Sequence, residues 1–490
     1  MTPAVSVSRA PKILLTFDEA SKASGAGLVK AGEGSPPAGF SGVCADSRKA
    51  GSGFLFAALK GEKTDGHDFI IQALEKGACG LLLQKDKRSE CVKLASSFFS
   101  KQETRSGTSS CVMLFADDVL RALQASASFY LKKYKKLTRI GITGSSGKTT
   151  TKEIAAKIFS REKNVVYNEG NLNSDVGLSL SVFQVNESHE VGVFEMGMNR
   201  KGEMASLAAV LNPQAALITN VGTAHAGFAG GRDGVAREKK AAFSRFSGEE
   251  TAFIPKNAPY SDFLAEGVNG RVVFYDVFST FTDPKQVASG FFENAGVEEK
   301  GLNGSRISWN GVSADFALAG RHNVENALAA MTLAKERGVS DEAIARGLEE
   351  VKPLFGRGEI VRGRVTLVRD CYNANPDSMK AAIDFCDSAP APRRLYVLGE
   401  MLELGDVSAE AHKDLAKRLC ASKADAVFLF GEEMKQTEVL LREMKKDLFV
   451  FHTNDINDLS RAVSNAAENG CLVLLKGSRR CELERVEGAL

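Results

Sequence analysis

Lys136-Leu-Thr-Arg-Ile-Gly-Ile-Thr143-Gly-Ser-Ser-Gly-Lys148-Thr-Thr-Thr-Lys-Glu-Ile-Ala-Ala-Lys-Ile-Phe159 is the stretch that decides the fold. Leu137, Ile140 and Ile142 alternate loosely, as in a short buried strand, and Ile154, Ile158 and Phe159 recur at helical spacing. Between them Gly144, Ser145, Ser146, Gly147, Lys148, Thr149 and Thr150 form a glycine-rich turn that opens the helix. Such glycines let backbone N–H groups point inward around a phosphate, and the helix N-terminus adds partial positive charge. Lys148 is placed to neutralise the outer phosphates, and the Thr149 hydroxyl to ligate Mg²⁺. The first glycine of the general P-loop pattern would fall at Ile142; Gly141 and Gly144 straddle it. An ordinary strand-to-helix turn is the alternative, and the Gly-Lys-Thr-Thr sequel argues for a nucleotide site.

Outward from the loop, Val191-Gly-Val-Phe-Glu195 and Ala215-Ala-Leu-Ile-Thr-Asn-Val221 are apolar runs, each followed by a glycine-containing turn and helical sequence. This alternation predicts a parallel sheet with crossover helices in a central block, 135–354. Ligands gather at the carboxyl ends of such strands, where Glu195 and His225 fall together with Lys148. From 355 the pattern restarts as a Rossmann-like third domain, 355–490. Its strands are at Val365–Val368, Leu395–Leu398, Ala426–Phe430, Leu448–Phe451 and Leu472–Leu475. Asn375 before Pro376 reads as an N-cap with proline at the first helical position. Residues 1–134 read as a first α/β unit with a loose Gly/Pro/Ser segment from Gly25 to Gly39. Its polar tract, 85–110, carries a short helical patch and reads as an insertion or mobile loop.

The totals agree with three domains. The 490 residues carry 43% hydrophobic and 25% charged side chains, ordinary for a chain with sizeable cores. A formal net charge of +2 gives no reason to expect a nucleic-acid partner or a membrane surface. Nine scattered cysteines without a Cys-x-x-Cys pair read as reduced thiols. No apolar run approaches the roughly 18 residues of a membrane helix, and Lys12 to Phe17 is too short for a secretory core. A cytoplasmic monomer is the expectation.

Several residues stand out against plainer readings. Glu195 ends a buried strand, where a carboxylate needs a hydrogen bond or a metal; as a Mg²⁺ ligand it would hold the ion that bridges nucleotide phosphates. His225 follows a strand of the same block, although Mg²⁺ prefers oxygen. Arg237-Glu-Lys239-Lys240 is by default a solvated helix face. Asn323 and Asn326 share a helix face and suit an adenine edge; capping by Asn323 is the alternative. Arg357 lies at the boundary with the third domain, where it could reach a phosphate, and Asp370 terminates a strand.

These motifs resemble the Mur ligase family of ATP-dependent amide-forming enzymes over nearly the whole chain, from Asp46-Ser-Arg48 to Lys476-Gly-Ser-Arg479. The combination that carries it is Thr-Gly-Ser-Ser-Gly-Lys-Thr, Gly170-Asn-Leu-Asn173, Asn220-Val-Gly-Thr-Ala-His225, His322-Asn-Val-Glu-Asn326 and Tyr372-Asn-Ala-Asn-Pro376. The resemblance is closest to the branch that adds D-alanyl-D-alanine to a UDP-N-acetylmuramoyl-tripeptide. It implies a UDP-substrate domain, a central ATPase domain and a dipeptide-binding domain, and a reaction through an acyl phosphate. It also implies that Lys148 and Thr149 bind phosphates, that Asn323, Asn326, Arg357 and Asp370 meet the nucleotide, and that Glu195 and His225 hold Mg²⁺. A carbamylated lysine, Lys239 or Lys240, would serve as a further metal ligand, with flanks that depart from the family pattern. By the same matching, Ser47, Arg48, Asp65 and His67 surround the uridine end, and Asn171, Asn173 and Ser174 the sugar-peptide. Ser174 stands where an asparagine is usual and Ser179 where a proline is usual. Asn373, Asn375 and Ser378 would face the incoming dipeptide. The alternatives are a related ligase adding diaminopimelate or lysine, and a nucleotide-binding regulator that performs no ligation.

Overall fold

The computed structural model describes residues 12–101, 110–223, 226–277 and 290–490, the side chains of Ala226 and Phe228 excepted. The chain divides into two compact units: Met1–Leu137 with Asn168–His189 and Ala209–Asn212, and Thr138–Tyr167 with Glu190–Ala208 and Pro213–Leu490.

Among the described residues of the first unit, a five-stranded sheet runs in the order Gly27–Gly32, Ser110–Ala116, Gly80–Gln84, Phe54–Ala57, Gly42–Cys44. Only its first pair is antiparallel. Strand Gly27–Gly32 lies inside the segment expected to be loose: an edge strand half open to solvent carries little apolar alternation. The tract expected as an insertion begins as a regular helix, Arg88–Lys101, with Cys91, Ala95 and Phe98 buried against the sheet; the rest of the tract, 102–109, lies outside the described residues. The spacing of those three residues is helical, but serines and lysines between them dilute the pattern. Within the same unit, Phe183 meets Phe40 edge-on and lies tilted against Tyr130, and Tyr130 Oη donates to the Val185 carbonyl at 2.6 Å.

The second unit contains a fully parallel six-stranded sheet in the order Arg271–Tyr275, Thr251–Pro255, Ala215–Ile218, Thr138–Thr143, Val191–Glu195, Val165–Tyr167. Thr138–Thr143 lies between Ala215–Ile218 and Val191–Glu195, so the glycine-rich loop emerges mid-sheet, at the carboxyl edge where a crossover reverses direction. Ile140 and Ile142 pack with Ile154, Ile158 and Phe159 of the following helix, Lys148–Phe159, in a core that also holds Trp309. Trp309 belongs to a three-stranded antiparallel sheet, Gly296–Glu299, Ser305–Trp309 and Val312–Phe316, that the alternation of strands and helices did not predict. The second six-stranded sheet, in the order Glu359–Arg362, Thr366–Asp370, Leu472–Lys476, Arg394–Gly399, Ala426–Phe430, Phe449–Thr453, is parallel except at its first strand. Asn375 caps the helix Pro376–Ser388 as expected, in a capping box with Ser378. Among the described residues no helix is long and apolar enough to cross a membrane.

Candidate active site

The loop between Thr143 and Lys148 owes its shape to two glycines. Gly147 adopts φ +78°, and a Cβ there would collide with Asn326 Oδ1; a Cβ at Gly144 would collide with Thr219 Oγ1. Two neighbours brace the loop. Asn220 Oδ1 accepts from the Ser145 and Ser146 amides at 3.2 and 3.0 Å, and Thr219 Oγ1 donates to the Ser146 carbonyl at 2.6 Å. Asn220 belongs to one of the motifs that carry the resemblance, but its spacing from the loop gives no sign of this bracing role. Tyr275, fully buried, donates to the carbonyls of Ile218 and Thr219 at 3.0 and 2.9 Å and so fixes the strand end that carries them.

Lys148 Nζ folds back over its own loop and donates to the Gly144 carbonyl at 2.9 Å. Burial pulls its affinity for a proton down, opposed by the nearby Glu195 carboxylate and assisted by Arg357. Thr149 Oγ1 donates to Glu195 Oε2 at 2.7 Å, and both side chains are buried. Glu195 pairs in register with Ile142, so neighbouring strands deliver the carboxylate and the loop to the same sheet edge. His225 lies outside the described residues.

The adjacent lysines of helix Gly231–Lys240 diverge. Lys239 is 1% exposed and is held well below the ordinary lysine range, first by burial and then by the positive charge of Lys148. Lys240 instead donates to the Phe263 carbonyl at 2.6 Å and lies over the Phe263 ring. The helix face expected to be solvated therefore buries one of its cations beside the phosphate loop.

Asn326 links helix Arg321–Glu336, which carries it, to the helix that follows the loop: its Oδ1 accepts from Thr151 Oγ1 at 3.2 Å, and its Nδ2 donates to Asn323 Oδ1 at 3.4 Å. Asn323 is not the cap. Gly320 takes that position, and Asn323 Nδ2 donates to the Ala319 carbonyl at 2.8 Å. Arg357 lies over the Tyr372 ring, 4.1 Å from its centroid. Asp370 is bound by the buried Lys476 at 2.7 Å, and Lys476 also donates to the Asn373 carbonyl. Asn375 and Ser378 give their polar atoms to the helix cap, which leaves Asn373 as the exposed amide of that trio.

In the first unit, Ser47 donates to Gln72 and stands beside Arg48, whose guanidinium is exposed and tethered to Asp46. That guanidinium lowers the Asp46 carboxyl to about 2. Asp65 Oδ1 receives the His67 amide at 3.0 Å and lies 2.6 Å from His67 Nδ1, while Oδ2 receives Lys87 at 2.7 Å. His67 Nε2 accepts from the Gln84 amide, which leaves Nδ1 to donate to Asp65. Asn171, Asn173 and Ser174 belong to this same compact unit, and Ser174 caps the helix Asp175–Val182. Within that helix Ser179 Oγ donates to the Asp175 carbonyl at 2.7 Å.

This geometry is that of a phosphate cradle with oxygen donors at its mouth. Models of known families match the chain in three places: the Mur ligase family catalytic domain over residues 39–129, the Mur ligase middle domain over 142–334, and the Mur ligase glutamate ligase domain over 356–479. A UDP-N-acetylmuramoyl-tripeptide–D-alanyl-D-alanine ligase of Treponema pallidum is 43% identical over 480 residues, covering 98% of this chain and 99% of that protein. The corresponding Bacillus subtilis ligase is 32% identical over 91% of this chain and 92% of its own length. Among solved structures, MurF from Acinetobacter baumannii superposes with a TM-score of 0.80 at 26% identity, covering 96% of this chain and 98% of that one.

Proposed function

The chain belongs to the Mur ligase family, and from that premise we propose that it joins D-alanyl-D-alanine to UDP-N-acetylmuramoyl-tripeptide at the expense of ATP. The single observation that carries the chemistry is the buried Thr149–Glu195 pair at the mouth of a glycine cradle that also holds Lys148. We assign residues 1–134 to the UDP-linked substrate, 135–354 to ATP and 355–490 to the dipeptide, acting as a cytoplasmic monomer.

An oxygen of the tripeptide's terminal carboxylate attacks the γ-phosphorus of ATP, and ADP leaves. The amine of D-alanyl-D-alanine then attacks the acyl carbon; the bond from that carbon to the phosphate oxygen breaks, phosphate departs and the amine gives up a proton. Catalysis of this kind is positioning together with charge neutralisation. The Gly147 amide and the Lys148 ammonium face the phosphates, in a loop that Asn220 braces through the Ser145 and Ser146 amides, and Asn326, with Asn323 behind it, meets the adenine. Arg357 and Asp370 approach the nucleotide from the third-domain side of the boundary at residue 355. Ser47, Arg48, Asn171 and Asn173 hold the UDP-linked substrate.

The donor set fits Mg²⁺: the Thr149 hydroxyl and Glu195 carboxylate are hard oxygen ligands held 2.7 Å apart. Thr149, Glu195, His225 and Lys239 as its carbamate would hold the ion, which supplies charge neutralisation along the phosphates. Carbamylation needs a neutral amine, which adds to carbon dioxide and loses a proton, and the depressed proton affinity of Lys239 favours that amine over Lys240.

The test is phosphate release from ATP with each substrate omitted in turn, and mass spectrometry of the product with the diaminopimelate- and lysine-ended tripeptides both offered. Amide product and phosphate release that both require all three reactants bear the reading out. Equal phosphate release without one of them points to a nucleotide-binding regulator.

A further inference from the structure

Beyond the residues already assigned, the second unit holds a carboxylate that links helix Pro376–Ser388 to the residues packed on the phosphate loop. We propose that Asp377 is a positioning residue that sets the dipeptide-binding domain in register with the phosphate loop; the proposal rests on the ligase reading above. Asp377 is the second residue of helix Pro376–Ser388, whose start is fixed by Pro376 and the Asn375–Ser378 box. Its Oδ2 accepts from the Thr223 amide at 3.0 Å. The preceding residue, Gly222, donates its own amide to Ser145 Oγ at 2.8 Å. A Cβ on Gly222 would collide with Asp377 Oδ2 and lie 3.1 Å from Ser145 Cβ, so the glycine is wedged between the helix and the loop. Direct contacts therefore run from Asp377 through Thr223 and Gly222 to Ser145.

A second seat lies a few residues on. A Cβ on Gly227 would fall 2.9 Å from Gly405 Cα and from the Leu404 carbonyl oxygen, and a Cβ on Gly405 would fall 2.9 Å from Gly227 Cα. Both backbones approach too closely for any side chain. Helix Pro376–Ser388 is thus seated against Gly222 and Thr223, and Leu404 and Gly405 against Gly227. A carboxylate in the first turn of a helix is favoured by the helix dipole, and its bond to an amide is charge-assisted. Attack of the amine on the acyl carbon needs placement to within about 1 Å, and an error of that size costs about a hundredfold in rate. Nucleotide binding draws mainly on the loop and on helix Arg321–Glu336, with Arg357 and Asp370 adding contacts from the third domain, and so depends less on this register.

The experiment compares Asp377→Ala, Asp377→Asn and Gly405→Leu in the full chain, with kcat, each KM, and hydrogen exchange of the peptide containing Thr223. Asp377→Ala is expected to lower kcat by about 30- to 100-fold, to change KM for ATP by less than about threefold, and to speed exchange at Thr223. A carboxamide at this position can still accept the Thr223 amide, so Asp377→Asn recovers to within about fivefold of the parent rate. Gly405→Leu, a wedge at the other seat, reproduces the loss in kcat. An unchanged kcat in Asp377→Ala, a rise in KM for ATP as large as the fall in kcat, or unaltered exchange at Thr223 overturns the proposal. Should the alanine variant not fold, an Asp377→Asn variant as impaired as Gly405→Leu overturns it, and one close to the parent beside an impaired Gly405→Leu supports it. A parent protein that makes no amide product defeats the ligase reading, and the exchange data still judge the Asp377 contact.

Discussion

The phosphate cradle and the polar patch of the first unit use the same residue types in opposite ways. In the cradle, Glu195, Thr149 and Lys239 are 1%, 3% and 1% exposed, and Glu195 and Thr149 bond to each other. In the first unit, the Arg48 side chain is 80% exposed and tethered to Asp46, while Asp65 bonds to His67 and Lys87. Charges shielded from water act strongly on a reacting group, whereas an exposed guanidinium serves recognition. Loss of a cradle residue should therefore reduce kcat, and loss of a patch residue should raise KM.

The largest expected effect is that of Lys148→Ala: about a thousandfold loss of turnover, with calorimetric affinity for the UDP-tripeptide within a few-fold of the parent. Loss of both in a folded variant would erase the contrast between the regions. Next, Lys239→Ala should lose about a hundredfold in kcat, while Lys240→Ala, whose ammonium is occupied by Phe263, stays within about threefold. Equal losses in steady-state assays would mean that burial does not separate the two lysines. Arg48→Ala should raise KM for the UDP-tripeptide about tenfold with kcat unchanged, equivalent to about 1.4 kcal/mol of binding.

The smallest effect concerns Lys87. The Lys87 ammonium, with the His67 amide and ring, holds the Asp65 carboxyl below the ordinary aspartate range. A carboxylate depressed by folding adds stability above its unfolded value, near pH 4, and that stability is lost as pH falls through the folded value. Lys87→Ala should therefore lower the urea midpoint slightly at pH 7, and the gap from the parent should close on acidification below about pH 4. A gap independent of pH would show that Lys87 acts through packing alone.

Much of this architecture could be read from the sequence because local signals agreed with the fold. Leu137, Ile140 and Ile142, then Gly-Lys-Thr-Thr, mark strand, turn and helix in a row, and Asn375-Pro376 marks a helix start that forms as written. The edge strand Gly27–Gly32 was hidden because only Ala31 among its residues is buried. The antiparallel strands around Trp309 escaped notice because the strand-helix rhythm of a parallel sheet says nothing of a meander attached to it. In the site, the choice between Lys239 and Lys240 depends on which way each side chain turns into the fold, and adjacent positions in a charged run carry no sign of that. The bracing by Asn220 and the contact of Asp377 with Thr223 join residues 75 and 154 positions apart, distances over which periodicity has no reach.

The central claim is that the cradle activates a carboxyl group as its acyl phosphate. The most direct measurement uses UDP-tripeptide labelled with oxygen-18 in its terminal carboxylate, with mass analysis of the phosphate released on addition of ATP and D-alanyl-D-alanine. Transfer of one labelled oxygen to phosphate for each amide bond formed is the predicted result. Unlabelled phosphate alongside amide product would contradict the account.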